Sequence, residues 1–341
     1  MSPHTYCIAP MLDCTDRHDR FFLRLLSSQV RLYTEMVTTG ALIHGDRLRF
    51  LGFDSSEHPL ALQLGGSDRH AMATCAKLAE EAGFDEVNIN VGCPSDRVQS
   101  GQFGACLMAE PQRVADCVEQ MTASVSIPIT VKHRIGIDDL DSYEHLSDFV
   151  ATIASAGCKT FIVHARKAWL KGLSPKQNRE VPPLQYARVR QLTADFPELA
   201  FVVNGGIENQ RDVQQHLRDF DGVMVGREAY HNPYSLADVD QTVFGSSAAI
   251  ATREAVVDAY LPYIQQHMKR GVPLAHMARH MIGLYKGEPG AKQWRRAMSE
   301  HTREPGVGIE VIEKALLDVR EKTIQVERAK TDYNSNCGLQ L

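Results

Sequence analysis

Asp85-Glu86-Val87-Asn88-Ile89-Asn90-Val91-Gly92-Cys93-Pro94-Ser95 runs as a strand into a turn. Val87, Ile89 and Val91 make the stretch strand-like, and Gly92 and Pro94 end it. The thiol of Cys93 therefore stands at a strand exit, with Asn88 and Asn90 just before it. Where parallel strands alternate with helices, such exits hold the chemistry. A cysteine there acts as nucleophile, metal ligand or proton donor, and its neighbours decide which.

The same pattern recurs on both sides of this stretch. Strand-like runs lie at 7–9, 31–36, 59–64, 86–91, 128–132, 160–164, 200–204 and 222–226. Between them, 69–82, 112–123, 142–156, 184–195 and 209–219 repeat apolar residues at helical spacing. Eight strands in βα alternation imply a closed (β/α)8 TIM barrel rather than a doubly wound sheet. A chain of 341 residues suits such a barrel, about 250 residues, with an appendage. The expected division is a catalytic barrel over 1–244, a small all-helical domain over 245–328 and a disordered tail over 329–341.

Acidic residues outnumber basic ones, 42 to 37, for a net charge of −5. That average does not announce a nucleic-acid binder, so the distribution decides. Eight cysteines, at 7, 14, 75, 93, 106, 117, 158 and 337, include no CxxC pair and no His-rich cluster. This argues against a zinc site or a disulfide framework and for a reducing cytoplasm. The start, Met1-Ser2-Pro3-His4-Thr5-Tyr6, lacks a basic region ahead of an apolar stretch, and no run of about 18 apolar residues occurs. A soluble, unexported protein without a metal is expected.

The strand ends carry the functional signal. Ala9-Pro10-Met11-Leu12-Asp13 follow the first, and Glu35 and Met36 close the second. Gln63 ends the third, Asn88 and Asn90 the fourth, Lys132 the fifth and His164 the sixth. Asn204-Gly205-Gly206 and Gly226-Arg227 follow the last two. Each such polar group costs free energy when buried alone, so a purely structural barrel has no reason to gather them at one mouth. Bare glycine amides beside a guanidinium form the usual phosphate corner of these barrels. No GxGxxG follows a strand, which argues against a Rossmann dinucleotide site. Flavin mononucleotide (FMN) suits the set: Pro10 and Met11 as an apolar seat, Gln63 as donor to the carbonyl edge, Lys132 as the cation near N1. Lys132 has a rival role as a Schiff-base lysine, and His164 one as a structural histidine.

After 244 the βα rhythm stops, and 251–327 reads as helices broken at Pro273, Gly287-Glu288-Pro289-Gly290 and Pro305-Gly306. From 265 to 303 the chain carries eight basic residues, Lys292, Arg295 and Arg296 among them, against Glu288 and Glu300, a local charge of +6. His276, His280, Tyr285 and Trp294 are interleaved, so the cluster reads as phosphate contacts with stacking groups for RNA.

Ala9-Pro10-Met11-Leu12-Asp13, Leu32-Tyr33-Thr34-Glu35-Met36, Ala61-Leu62-Gln63-Leu64 and the Asn88–Ser95 string resemble the tRNA-dihydrouridine synthases. Val131-Lys132-His133-Arg134-Ile135-Gly136, His164-Ala165-Arg166-Lys167, Asn204-Gly205-Gly206-Ile207 and Gly222-Val223-Met224-Val225-Gly226-Arg227 continue the likeness over essentially the whole chain. Gly104-Ala105-Cys106-Leu107 and Asn178-Arg179-Glu180-Val181-Pro182-Pro183-Leu184 point to the bacterial A subfamily. His133 departs from the pattern, in which a smaller or uncharged residue often precedes the arginine.

The resemblance implies a flavin barrel and a helical domain that together grip tRNA and reduce uridines 20 and 20a of the D-loop, with NADPH as electron source. It implies FMN at Pro10, Met11, Leu12, Gln63, Lys132, His164, Asn204, Gly205, Gly206, Gly226 and Arg227, with Cys93 as catalytic acid. It implies tRNA contacts at Asn90, Arg97, Arg166, Lys176, Arg179, Lys292, Arg295 and Arg296. No protein partner is evident, and a monomer is expected.

The chemistry supports the acid role independently. Reducing the C5=C6 bond of uracil takes a hydride at C6, from flavin N5, and a proton at C5 on the opposite face. A thiol, with an ordinary pKa of about 8.5, is protonated near neutral pH and can donate. Cys106 is the nearest competitor. The rival functions are a flavin barrel reducing a free small molecule, a Schiff-base aldolase using Lys132, and a tRNA-binding folding factor with an idle barrel.

Overall fold

A computed structural model describes residues 2–337. Eight strands form one sheet: β1 (Tyr6–Ile8), β2 (Leu32–Thr38), β3 (Leu60–Gly65), β4 (Glu86–Val91), β5 (Ile129–Arg134), β6 (Thr160–His164), β7 (Ala200–Asn204) and β8 (Gly222–Val225). Their order is β1-β8-β7-β6-β5-β4-β3-β2, with every neighbouring pair parallel. The two ends meet through a parallel bridge between Cys7 and Arg31, where the Arg31 carbonyl accepts from Ile8 N–H at 2.9 Å and Arg31 N–H donates to the Tyr6 carbonyl at 2.9 Å. The sheet is thereby a closed cylinder, as the eight-strand pattern implies.

Outer helices cover it in the order the periodicity predicts. Helix Tyr143–Ser155 shows why: the Ser142 side chain accepts from His145 N–H at 3.1 Å at its start, and Leu146, Phe149, Val150 and Ile153 bury one stripe. A cap of this kind is worth about 1 kcal/mol, and each buried stripe residue about 1.5–3 kcal/mol. His133, on the outward side of β5, packs into that stripe with its ring 5.1 Å from Phe149 and 5.8 Å from Phe161. Its ring is thus a packing element on the helix side of the strand.

The cylinder's interior is divided by chemistry. Cys7, Ala9, Tyr33, Ala61, Ile162, Val202 and Met224 form an apolar cluster, with Met11 packed against it. Strands β4 and β5 instead line up polar pairs, Asn88 with Thr130 and Asn90 with Lys132. Strand periodicity of two explains the contrast, because Val87, Ile89 and Val131 take the alternate positions and are fully or almost fully buried.

The chain divides into two compact units, one made of residues through Arg20 with Gln29–Gly226, the other of Phe21–Ser28 with residues from Arg227 onward. The contact division falls after Gly226, ahead of the boundary expected at 244, and 227–244 is helical, as Arg227–His231, Pro233–Leu236 and Val239–Thr242. Segment Phe21–Ser28 joins this second unit through Asp240, which accepts from Ser28 N–H at 2.8 Å, and through Phe21, stacked 4.0 Å from Tyr263.

In the second unit, helices Arg253–Lys269, Leu274–Ala278, Ala291–Ser299 and Glu310–Cys337 are separated at the expected Pro and Gly breaks. The last helix continues through 329–337, where the polar sequence led us to expect a disordered tail. Adding a residue to an existing helix costs far less than starting one, so the helix begun at Glu310 runs on into residues of low propensity of their own. Residues 338–341 lie outside the described part. Among the described residues no helix is long and apolar enough to cross a membrane.

Candidate active site

The site begins at the exit of β4. Asn90 turns its side-chain oxygen onto the following loop and accepts from the N–H groups of Gly92 and Cys93, both at 3.0 Å. Arg134, at the end of β5, donates from Nε to the Gly92 carbonyl at 3.0 Å and from a terminal nitrogen to the Asn178 carbonyl at 2.9 Å and the Lys167 carbonyl at 3.2 Å. Gln99 ties the Pro94 carbonyl, at 2.8 Å, to that of Leu170, at 2.7 Å. Ala105 N–H donates to the Cys93 carbonyl at 2.9 Å, an approach that only glycine at 104 permits, since a Cβ there would lie 2.6 Å from the same oxygen. The half-buried Cys93 thiol faces Ser95 Oγ at 3.5 Å. Cys106 instead directs its sulfur to the Phe103 carbonyl at 3.1 Å, and burial raises its pKa.

Across the mouth stands a group of cations. Lys132 Nζ donates to Asn204 Oδ1 at 3.1 Å, and Asn204 Nδ2 donates to the Met224 carbonyl at 2.7 Å. Burial, and then the charge of Arg134, pushes the Lys132 ammonium down to about 7. Burial likewise brings Arg134 down to about 10. His164 is held well below its ordinary value, first by burial and then by Arg134, Lys132, Arg166 and Arg179, so its imidazole is neutral at pH 7. So many like charges around one opening disfavour one another, and an anion seated among them relieves that cost.

The glycines supply the room. Gly205 has φ +108°, and a Cβ there would lie 2.5 Å from the His164 ring; Gly206 has φ +69°, and a Cβ there would meet Leu184 at 2.4 Å. Tyr186 donates to the Gly205 carbonyl at 2.6 Å and fixes the turn. A Cβ on Gly226 would touch Ala9 and Met11 at 3.6 and 3.7 Å. Arg227 opens helix Arg227–His231 in the second unit and is exposed. Pro10 and Met11 are half-buried, whereas Leu12 is exposed. Gln63 is buried, its Nε2 donating to Asn88 Oδ1 at 2.8 Å and its Oε1 accepting from Asn90 Nδ2 at 3.1 Å. One N–H and one lone pair of its amide remain.

The residues expected at the RNA divide sharply. Lys176 and Arg179 are exposed, and Arg166 is half-buried and donates to the Pro182 carbonyl. The side chain of Arg97 lies outside the described residues. On helix Ala291–Ser299, Lys292, Arg295 and Arg296 share the exposed face, while Trp294, Ala297 and Met298 bury the other. Three of the four expected stacking groups are buried instead: Trp294, Tyr285 and His280 are 0, 4 and 1 % exposed. Trp294 donates from Nε1 to the Met281 carbonyl at 2.7 Å and packs its ring 4.7 Å from Tyr285. They are the core of the helical unit, and of the four only His276 is exposed. Asn90, with its oxygen spent on the Cys93 loop, is a loop anchor in this structure rather than an open base contact.

Sequence reasoning did not single out Arg134, Gln99, Asn178 or Tyr186 as site builders. Their partners lie far along the chain, so no spacing marks them.

Residues 7–320 match the family model described as dihydrouridine synthase (Dus). The chain is 60% identical over 316 residues to the tRNA-dihydrouridine(20/20a) synthase of Shewanella oneidensis, covering 93% of this chain and 94% of that one. It is 59% identical over 318 residues to the protein of the same name from Escherichia coli K12, covering 93% and 92%. Among solved structures, a 2-naphthoyl-CoA reductase complex matches with TM-score 0.54 at 9% identity, over 69% of this chain and 50% of that one, a likeness of fold alone.

Proposed function

Because the chain belongs to the dihydrouridine synthase family, we propose that it reduces uridine to 5,6-dihydrouridine at positions 20 and 20a of tRNA, in the cytoplasm and with NADPH as electron source. The observation that carries the mechanism is the anchoring of the Cys93 loop, by Asn90 from one side and Arg134 from the other, at the barrel mouth.

The residues of the mouth fit FMN. Gly205 and Gly206 leave a cradle that a Cβ would fill, Lys132 and His164 border it, and Met11 with Ala9 offers an apolar wall. In this reading Asn204, Gly205, Gly206, Gly226 and Arg227 take the phosphate, the last on its place directly after Gly226 in the chain. Lys132 and Gln63 take the ring's polar edge, and Pro10, Met11 and Leu12 its apolar surface. Bound there, FMN supplies hydride transfer from NADPH to C6 of the uracil.

Cys93 gives its proton to C5. Asn90 and Arg134 hold the thiol's loop so that little reorganisation is needed at the moment of transfer. The target base must leave the tRNA stack, at a cost of a few kcal/mol that contacts elsewhere offset. Lys176, Arg179, Arg166, Arg97, Lys292, Arg295 and Arg296 are the proposed contacts. Their cationic side chains suit a phosphate backbone and read no sequence.

Mass spectrometry of unmodified tRNA incubated with purified enzyme and NADPH tests this. The parental protein is expected to add two mass units at the D-loop uridines, and Cys93→Ala to do so about 10²-fold more slowly while still oxidising NADPH. Parental turnover by Cys93→Ala sinks the acid assignment.

A further inference from the structure

Beneath the mouth a single file of hydrogen bonds crosses the interior of the cylinder. Cys93 N–H donates to Asn90 Oδ1 at 3.0 Å, and Asn90 Nδ2 donates to Gln63 Oε1 at 3.1 Å. Gln63 Nε2 donates to Asn88 Oδ1 at 2.8 Å, Asn88 Nδ2 to Thr130 Oγ1 at 2.8 Å, and Thr130 Oγ1 to Glu86 Oε1 at 2.6 Å. Gln63, Asn88, Thr130 and Glu86 are each at most 2 % exposed.

The polarity of this file is forced from both ends. A backbone N–H only donates, and an ionised carboxylate only accepts. Thr130 has one hydroxyl proton, which goes to Glu86, so its oxygen accepts from Asn88. Each amide above is oriented in turn, which removes the usual ambiguity between amide oxygen and nitrogen. Glu86 is kept an acceptor by its surroundings. His4 Nε2 lies 2.6 Å from its second oxygen and Arg31 3.4 Å away, and Tyr33 donates to the first at 2.9 Å. Burial raises the carboxyl's pKa, but His4, Arg31 and Thr130 outweigh it and leave it below the ordinary value.

We propose that Glu86 is a positioning residue for the active site, acting through Thr130, Asn88 and Gln63 to set the amide orientation of Asn90 and hence the place of the Cys93 loop. It touches neither cofactor nor substrate. Its charge makes every donor in the file point toward the floor, so the Asn90 oxygen is always available to the loop amides and the outer edge of Gln63 always presents the same groups. Polarised chains of this kind are stronger than their separate links. The proposal rests on the reading of Cys93 as proton donor only for its effect on turnover; its effect on the loop stands apart.

Thr130→Val removes the relay hydroxyl at nearly constant shape and leaves Glu86 its other partners; Thr130→Ser restores the hydroxyl; Glu86→Gln lets the floor group donate. The full-length holoenzyme with tRNA is the assay, together with the rate at which iodoacetamide alkylates the peptide bearing Cys93. Thr130→Val and Glu86→Gln are each expected to lower dihydrouridine formation about tenfold and to change Cys93 alkylation several-fold. Thr130→Ser is expected to stay near the parent, and the double variant to be no worse than either single, because both cut one file. Should Glu86→Gln fail to fold, the Val and Ser pair decides. Equal alkylation rates in the Val and Ser variants overturn the proposal, as do losses that multiply in the double variant. If Cys93→Ala turns over normally while Thr130→Val still alters alkylation, the positioning stands and the donor reading falls.

Discussion

The Nε of Arg134 donates to the carbonyl of Gly92 at 3.0 Å, so the end of β5 grips the residue just before the candidate acid at the exit of β4. The same guanidinium reaches the Asn178 carbonyl, joining the thiol's loop to the long β6 loop. Arginine is required for this, because one planar fork serves three carbonyls and a lysine ammonium cannot match that geometry.

Arg134→Lys is therefore expected to keep the barrel folded and to lower dihydrouridine formation by ten- to a hundredfold, the scale of a misplacement of about 1 Å. Steady-state rates with unmodified tRNA check this, and a variant within twofold of the parent removes Arg134 from the positioning set.

Gly205→Ala places a Cβ against the His164 ring in a left-handed backbone. It is expected to cost about 1–3 kcal/mol of stability and to lower the flavin recovered per chain. Flavin absorbance after denaturation reads the second effect. Full flavin content in the alanine variant would move the phosphate cradle elsewhere.

Lys292→Ala with Arg295→Ala removes two charges from one exposed helical face. The slope of log affinity for tRNA against log salt is expected to fall by between about one and two, with NADPH oxidation in the absence of tRNA retained. Filter binding at several salt concentrations measures it. An unchanged slope takes that face out of the interface.

His133 is fully buried, its Nδ1 donating to the Arg134 carbonyl at 2.7 Å, and burial brings it down to about 4. The unfolded chain, with an ordinary value near 6.5, binds more protons between these limits, so stability contributed by neutral His133 is present above pH 6.5 and is lost as pH falls toward 4. The loss is about 3 kcal/mol. His133→Phe, which keeps a ring between Phe149 and Phe161, is expected to flatten that part of the acid dependence in urea unfolding. Parallel curves for the two proteins would show that the imidazole is not the group involved.

Much of this protein is written in local pattern. Strand period, helical stripes and Gly/Pro breaks are properties of neighbouring residues, so the eight strands, the outer helices and the breaks at Pro273 and Pro305 were legible to within a few residues. Cys93 at a strand exit and Gly205-Gly206 after β7 were legible for the same reason. Tertiary structure alone decided the rest. Charge spacing marks Lys292, Arg295 and Arg296 as one exposed face, yet Trp294 and Tyr285 between and beside them turn inward, because burial depends on what lies opposite a helix. That Phe21–Ser28 belongs to the second unit was not legible, because Ser28 meets Asp240 across 212 positions of the chain and Phe21 meets the still more distant Tyr263. The amide of Asn90 and the fork of Arg134 take their roles from partners up to 44 residues away, and a hydrogen bond between distant residues leaves no period for a sequence to show.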